Sequence, residues 1–369
     1  MSSEFIYIRP SMLRRLARRG QYPDIDLFSG FGKLYGGWVL PIDRTGTIQT
    51  PARARLICPL PTFRSFTKSY EDICNDRARE ILTQAEKRDV ALYVLYSGGI
   101  DSTAVIVSLL KNASLSQKKR IVVLLSHESI IENPNFYEDH IKHNLRVDSS
   151  NLFPYLLGGT DMIVSGENND QVMGSDKAGR LIARYGPEII HKPYQRDLFT
   201  EFWGATFKDN SRATTFYVDV FEKLMHAAPV RISTNFEYLW WINFALKWQT
   251  VFAYTVLFTA PRNAHKITAD YLYNRYLSFY NTDEFQLWSM NNLDKRIKDS
   301  WKTYKWVTKD LIYAFNRDAE YRDHKMKRGS RANITRQQLP YEALALDGTL
   351  VSSRDPIEYY NPDNSFVIP

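Results

Sequence analysis

Three short apolar runs stand out in the first half of the chain: "VALYVLY" at 90–96, "RIVVLLS" at 120–126 and "TDMIVSG" at 160–166. Each is bounded by polar residues or turn formers, and the pattern predicts three buried strands. The segments between them are long enough to hold crossover helices. The expected fold class is therefore α/β, a parallel sheet with helices on both faces. Ahead of the first run, Ile73, Ala78, Ile81, Leu82 and Ala85 recur at the spacing of an amphipathic helix. In sheets of this kind ligands bind at the carboxyl ends of the strands.

The pattern changes on either side of this core. Residues 1–65 carry short β-prone runs broken by Pro41, Gly46, Pro51, Pro59 and Pro61, which predict a small β-rich segment without long helices. Residues 66–184 form the expected α/β core. Residues 185–330 read as an all-α region, with "DLFTEFWGATF", "FYVDVFEKLMHAA", "NFEYLWWINFALKWQ", "ADYLYNRYLSFY" and "DEFQLWSM" as successive helices. The tail, 331–369, alternates around Asp347-Gly348 and predicts a β-hairpin. Between 294 and 315, Ile297, Trp301, Tyr304, Thr308, Leu311 and Phe315 fall on one helical face, with Lys298, Lys302, Lys305 and Lys309 as an adjacent basic stripe. Such a helix suits a half-buried position, and the interleaved aromatics also leave single-stranded nucleic acid open as a partner.

Composition narrows the classes. With 44% hydrophobic and 24% charged residues the chain reads as a folded globular protein. The most apolar stretch, 239–260, is interrupted by Asn243, Lys247 and Gln249, which predicts a core helix rather than a membrane span. Cys58 and Cys74 are too few for a disulfide framework and read as core residues in a reducing, cytoplasmic compartment. The opening residues lack the apolar run of an export signal. Seven histidines show no metal-binding spacing, and no GxSxG elbow points to hydrolysis. A net charge of +7 favours anionic partners, nucleotides and nucleic acid alike.

The candidate chemistry begins at "SGGIDS", residues 97–102, between a strand and a helix. Backbone N–H groups at a helix N-terminus lack internal partners and make an anion site. Gly98 and Gly99 admit positive φ and let a ligand approach the backbone, while Ser97 and Ser102 offer hydroxyls. A tight turn with Asp101 as the helix cap would account for the same residues. The spacing is neither that of the Walker loop nor that of dinucleotide binders. It resembles the pyrophosphate loop of the N-type ATP pyrophosphatases. The resemblance implies an adenine nucleotide alpha hydrolase-like fold in which Ser97, Gly98, Gly99, Asp101 and Ser102 surround the phosphates of ATP. Asp101 would also reach a magnesium ion, since a carboxylate beside a triphosphate needs a cation.

A second motif, "VSGENNDQVMGS" at 164–175, places two carboxylates three residues apart at a strand end. Its Ser165, Gly166, Glu167, Asp170 and Gly174 resemble the synthetase domain of asparagine synthetase and β-lactam synthetase. The resemblance implies that Asp170 is the second magnesium ligand and that Glu167 orients or deprotonates an incoming amine. It puts adenine against the second strand, where Leu124, Leu125 and Ser126 offer backbone hydrogen bonds. It also points to a lysine near the leaving pyrophosphate, Lys325 first and Lys327 in reserve, within "YRDHKMKRG". "YNTDEFQLW" at 280–288 is similar to another segment of these synthetases. Asn168, Asn169 and Gln171 depart from the family's Gly-Ser and second Glu. Ser2 stands where glutamine-dependent members carry a catalytic cysteine, so ammonia or an amine is the expected nitrogen source.

The function these readings predict is an ATP- and Mg2+-dependent ligase that adenylates a small-molecule carboxylate and passes it to ammonia or an amine. Two alternatives remain from the sequence. One is a nucleobase-adenylating enzyme acting on tRNA or DNA; the other is a nucleotide-sensing protein without catalysis.

Overall fold

A computed structural model describes residues 5–9, 27, 30–34, 40–48, 54–207, 210–257, 266–325, 341–345 and 350–352. Eight strands are defined among them: β1 (Phe5–Ile8), β2 (Leu92–Leu95), β3 (Ile121–Leu125), β4 (Arg146–Ser149), β5 (Met162–Ser165), β6 (Tyr276–Ser278), β7 (Tyr341–Ala345) and β8 (Leu350–Ser352). The chain divides into two compact units. Residues 1–63, 174–257 and 340–369 make one; residues 64–173 and 258–339 make the other.

The second unit holds a five-stranded, all-parallel sheet in the order β4-β3-β2-β5-β6. This is the α/β class expected from the apolar runs, and all three predicted strands are present. β3 and β5 are buried at every position, and β2 at alternate ones, Leu92 and Val94. The chain runs outward from β2 through β3 to β4, then returns to β5 and continues to β6. The order therefore reverses between β2 and β5, and right-handed crossovers on the two sides of such a reversal lie on opposite faces. Val94 is opposite Val164, so the loops after β2 and β5 leave the sheet side by side.

Tyr70–Lys87 is helical with the predicted buried stripe, capped by Ser69 accepting from the Asp72 N–H. Two strands depart from the expectations. β6 lies inside "ADYLYNRYLSFY", where an all-α region was expected; the helix there, Ala269–Asn274, ends before it and the chain joins the sheet. β4 was not foreseen, since "RVDS" is exposed at all four positions and carries no apolar pattern.

In the first unit, β1, β7 and β8 form an antiparallel sheet in the order β1-β7-β8. The C-terminal hairpin is thus present, with Asp347-Gly348 outside the described residues, and the N-terminal strand completes it. Helices Arg196–Phe207, Ser211–His226 and Asn235–Leu257 supply an aromatic core in which Phe199, Trp203, Tyr217, Tyr238, Trp241 and Trp248 are buried. The polar residues that interrupt the apolar run have structural tasks. Gln249 accepts from the N–H groups of Ile57 and Cys58 and donates to the carbonyls of Ile6 and Arg55, at 2.8 to 3.2 Å. Asn243 donates to the Gly174 carbonyl at 2.6 Å. Arg44 is buried and donates to the carbonyls of Cys58, Phe244 and Pro59. Cys58 and Cys74 are buried and neither is in a disulfide, as expected of core residues. No helix among the described residues is long and apolar enough to cross a membrane.

Candidate functional site

The turn after β2 is shaped by Gly98 and its surroundings. Gly98 has φ +73, and a Cβ there would lie 2.3 Å from the Ser129 carbonyl oxygen and 2.8 Å from Glu132 Cβ. Only glycine meets both demands. The Ile100–Asn112 helix follows directly, with Gly99 in the N-cap position and no side-chain cap. The capped-turn reading with Asp101 as the cap is therefore corrected: Asp101 lies within the first turn, leaving its carboxylate for other contacts. Ser97 and Ser102 serve the turn itself. Their hydroxyls lie 3.0 Å apart, Ser102 Oγ accepts from the Ser97 N–H, and Ser97 Oγ accepts from the Gly99 N–H.

The turn after β5 lies against it. A Cβ on Gly166 would lie 2.9 Å from the Ser102 nitrogen and 3.0 Å from the Asp101 carbonyl carbon. Asn168 follows with φ 72, a left-handed conformation that asparagine tolerates better than most residues. The helix Asn169–Met173 starts after Glu167, so Asp170 lies in its first turn and Glu167 in the turn ahead of it. β6 fastens the turn: the Phe279 N–H donates to the Ser165 carbonyl and Ser278 Oγ to the Glu167 carbonyl. Ser165 Oγ is buried without a hydrogen-bond partner, a donor the protein leaves unused.

Asp101 and Asp170 converge on one point, and that point is the ammonium of Lys305. Its Nζ lies 2.8 and 2.7 Å from the two Asp101 oxygens and 2.5 Å from Asp170 Oδ1. Asn169 Nδ2 donates to Asp101 Oδ1 at 2.6 Å, and Tyr70 donates to Asn169 Oδ1 at 2.9 Å. Tyr280 donates to the Asp101 carbonyl. Burial opposes charge on Lys305, but the carboxylates of Asp101 and Asp170 outweigh it and hold the ammonium above the ordinary lysine value. Burial pushes the phenols of Tyr70, Tyr280 and Tyr321 far up, so each stays a neutral donor.

Lys305 and Asn169 are the candidate-site residues that sequence reasoning missed. Lys305 was placed in a solvated basic stripe on a helix spanning 294–315. The structure breaks that helix: Trp301–Thr303 is a 3-10 turn, Lys305 has φ 61, and the α-helix runs only over Trp306–Asn316. Lys305 is buried, and its removal from the stripe takes away one of the four cations on which a nucleic-acid surface would rest.

Lys325 is brought near the glycine turn through Glu132, which packs against Gly98. Its Nζ contacts Glu132 Oε1 at 2.6 Å, both side chains being largely buried, and Tyr321 in the preceding helix donates to the Gly98 carbonyl at 2.8 Å. Lys327 lies outside the described residues. Leu124 and Ser126 reach the same end of the sheet, but their backbone groups have partners. The Leu124 carbonyl accepts from Tyr96, and the Ser126 N–H donates to Ser129 Oγ. Beyond them, at the ends of β3 and β4, opens a cavity of about 560 Å³ lined by Leu125, Ser126, His127, Asp148, Ser149 and Asn151 among others.

The residues fit a hard divalent cation in kind: two carboxylates from separate turns meet at one cationic position, and Mg2+ takes few protein ligands, completing its octahedron from phosphates and water. No cluster of three or more metal-binding side chains exists among the described residues. The fold and site together define an α/β protein with a carboxylate pair at the reversal of strand order. No protein-family model matches the sequence, and no curated protein matches it.

Proposed function

We propose that this chain is an ATP-dependent, AMP-forming carbon–nitrogen ligase, resembling asparagine synthetase in its synthetase chemistry and built on an adenine nucleotide alpha hydrolase-like sheet. The observation that carries the reading is the meeting of Asp101 and Asp170 at one cation, on two turns that flank the reversal of strand order. Crevices at such reversals are where open parallel sheets bind nucleotides.

On this reading the triphosphate lies over the Gly98-Gly99 turn, facing the N-terminus of the Ile100–Asn112 helix. The nucleoside extends toward the cavity at the ends of β3 and β4, whose volume suits a group of that size. Asp101 and Asp170 would hold Mg2+, which neutralises phosphate charge when bound. A carboxylate oxygen of the substrate attacks the α-phosphorus, the bond to the bridging oxygen breaks, and pyrophosphate leaves. Ammonia or an amine then attacks the acyl carbon, AMP departs, and Glu167 accepts the proton released by nitrogen. Lys325, paired with Glu132 near the glycine turn, offsets charge gathering on pyrophosphate.

Pyrophosphate release measured across a panel of carboxylates and amines addresses this directly. Asp101→Asn and Asp170→Asn should each abolish release, whereas Glu167→Gln should still form the adenylate and slow amide formation. Silence of the native chain across a broad panel, or turnover that survives Asp170→Asn, would overturn it.

A further inference from the structure

We propose that Lys305 is a tethered counter-cation that closes the Asp101–Asp170 pair to divalent metal until phosphate oxygens draw its ammonium away, so that metal and triphosphate enter together. This rests on the nucleotide reading above, but its central claim, competition between an ammonium and a metal for one pair of carboxylates, stands on geometry alone.

Lys305 Nζ touches three of the four carboxylate oxygens of the pair. Magnesium binds oxygen at about 2.0–2.1 Å, and a metal sharing these oxygens would overlap the ammonium and repel it. The two cations exclude each other. Withdrawing the ammonium without a substitute cation would leave Asp101 poorly compensated, because its carboxylate is three-quarters buried. The structure thus has a reason to keep the position filled when no metal is there.

The lysine is built to be moved by its side chain alone. Its backbone N–H is fixed to the Arg296 carbonyl at 2.8 Å, immediately ahead of the Trp306–Asn316 helix. A left-handed backbone gives lysine no benefit of its own, and strain of this kind gathers at sites where function requires a particular placement. From that anchor, four methylenes let the ammonium swing from the carboxylates to a neighbouring phosphate oxygen without refolding. The anion site of the Ile100–Asn112 helix begins at Gly99, two residues from Asp101, so such an oxygen would lie beside the pair.

Mn2+ binding to the full chain without nucleotide tests the inference. Lys305→Met keeps the length and removes the charge. It should bind Mn2+ at least about tenfold more tightly than the native chain, as expected from deleting a like charge at contact distance. Mn2+ should also raise its melting temperature, and that of the native chain only when ATP is added. Equal Mn2+ affinity in the two nucleotide-free proteins would overturn the inference. If the methionine variant does not fold, Lys305→Gln takes its place. If neither folds, the native chain decides alone, since tight Mn2+ binding without nucleotide would also overturn it. The two readings can fail separately. Metal gained by the variant with no ATP binding by either protein would leave the counter-cation standing and remove the nucleotide; tight ATP binding with equal metal affinity would do the reverse.

Discussion

Gly166 leaves no space between the two turns, since any side chain there would press on the backbone of Asp101 and Ser102. Gly166→Ala should cost about 1–3 kcal/mol, the usual penalty of forcing atoms into a packed site. A urea midpoint unchanged by the substitution would show that the turns can separate freely. At this scale the site was partly legible. Gly98, Gly99, Asp101, Gly166 and Asp170 declare themselves because turn chemistry is local: a residue's φ and its distance to the next helix depend on its immediate neighbours. Asn169 and Lys305 did not. Asn169 reaches Asp101 from 68 positions away and Lys305 from 204, and a lysine among other lysines in an amphipathic run carries no mark of the carboxylates it will meet. Asn169, a departure from the pattern of the resembling synthetases, donates to Asp101 in the folded chain.

Among the elements, the three apolar runs became strands and helical spacing became helices except over 294–315, where only Trp306–Asn316 is α-helical. The failures share a cause. β6 is three residues long inside an aromatic stretch, and its partner β5 lies more than a hundred positions earlier, so pairing overrode local preference. β4 is an exposed edge strand with no buried face to impose alternation. The Asn235–Leu257 helix shows the opposite relation, where a polar residue that disturbs the apolar pattern turns out to organise it. Gln249 satisfies four backbone groups of the N-terminal segment from within the core. Gln249→Leu should therefore destabilise the protein by about 3 kcal/mol or more, because buried polar groups left unpaired cost about 1–3 kcal/mol each. Chemical denaturation would reveal it, and a loss below 1 kcal/mol would mean that the segment is held elsewhere.

At the scale of the whole molecule, the chain returns twice to one compact unit and once to the other, a property that no local pattern encodes. The unit made of residues 64–173 and 258–339 contains every candidate site residue that the structure describes. The other unit carries a distinct pH signature. Burial pushes the Lys177 ammonium down to about 8, only partly countered by Asp176. The folded chain binds this proton less tightly than the unfolded chain, so stability rises with pH between about 8 and the ordinary value of 10.5, and that gain is lost as pH falls through about 8. Lys177→Met should accordingly be more stable than the native protein at neutral pH, by about 3 kcal/mol. Its advantage should shrink steadily as pH rises above about 8. A stability difference independent of pH would place Lys177 outside this linkage.

The most direct measurement is an equilibrium titration of the intact chain with ATP, with and without Mg2+, repeated for Asp170→Asn. The account predicts Mg2+-dependent binding by the native protein and its loss when either member of the carboxylate pair is neutralised. Binding that ignores both the metal and Asp170, or no binding at all, would contradict it.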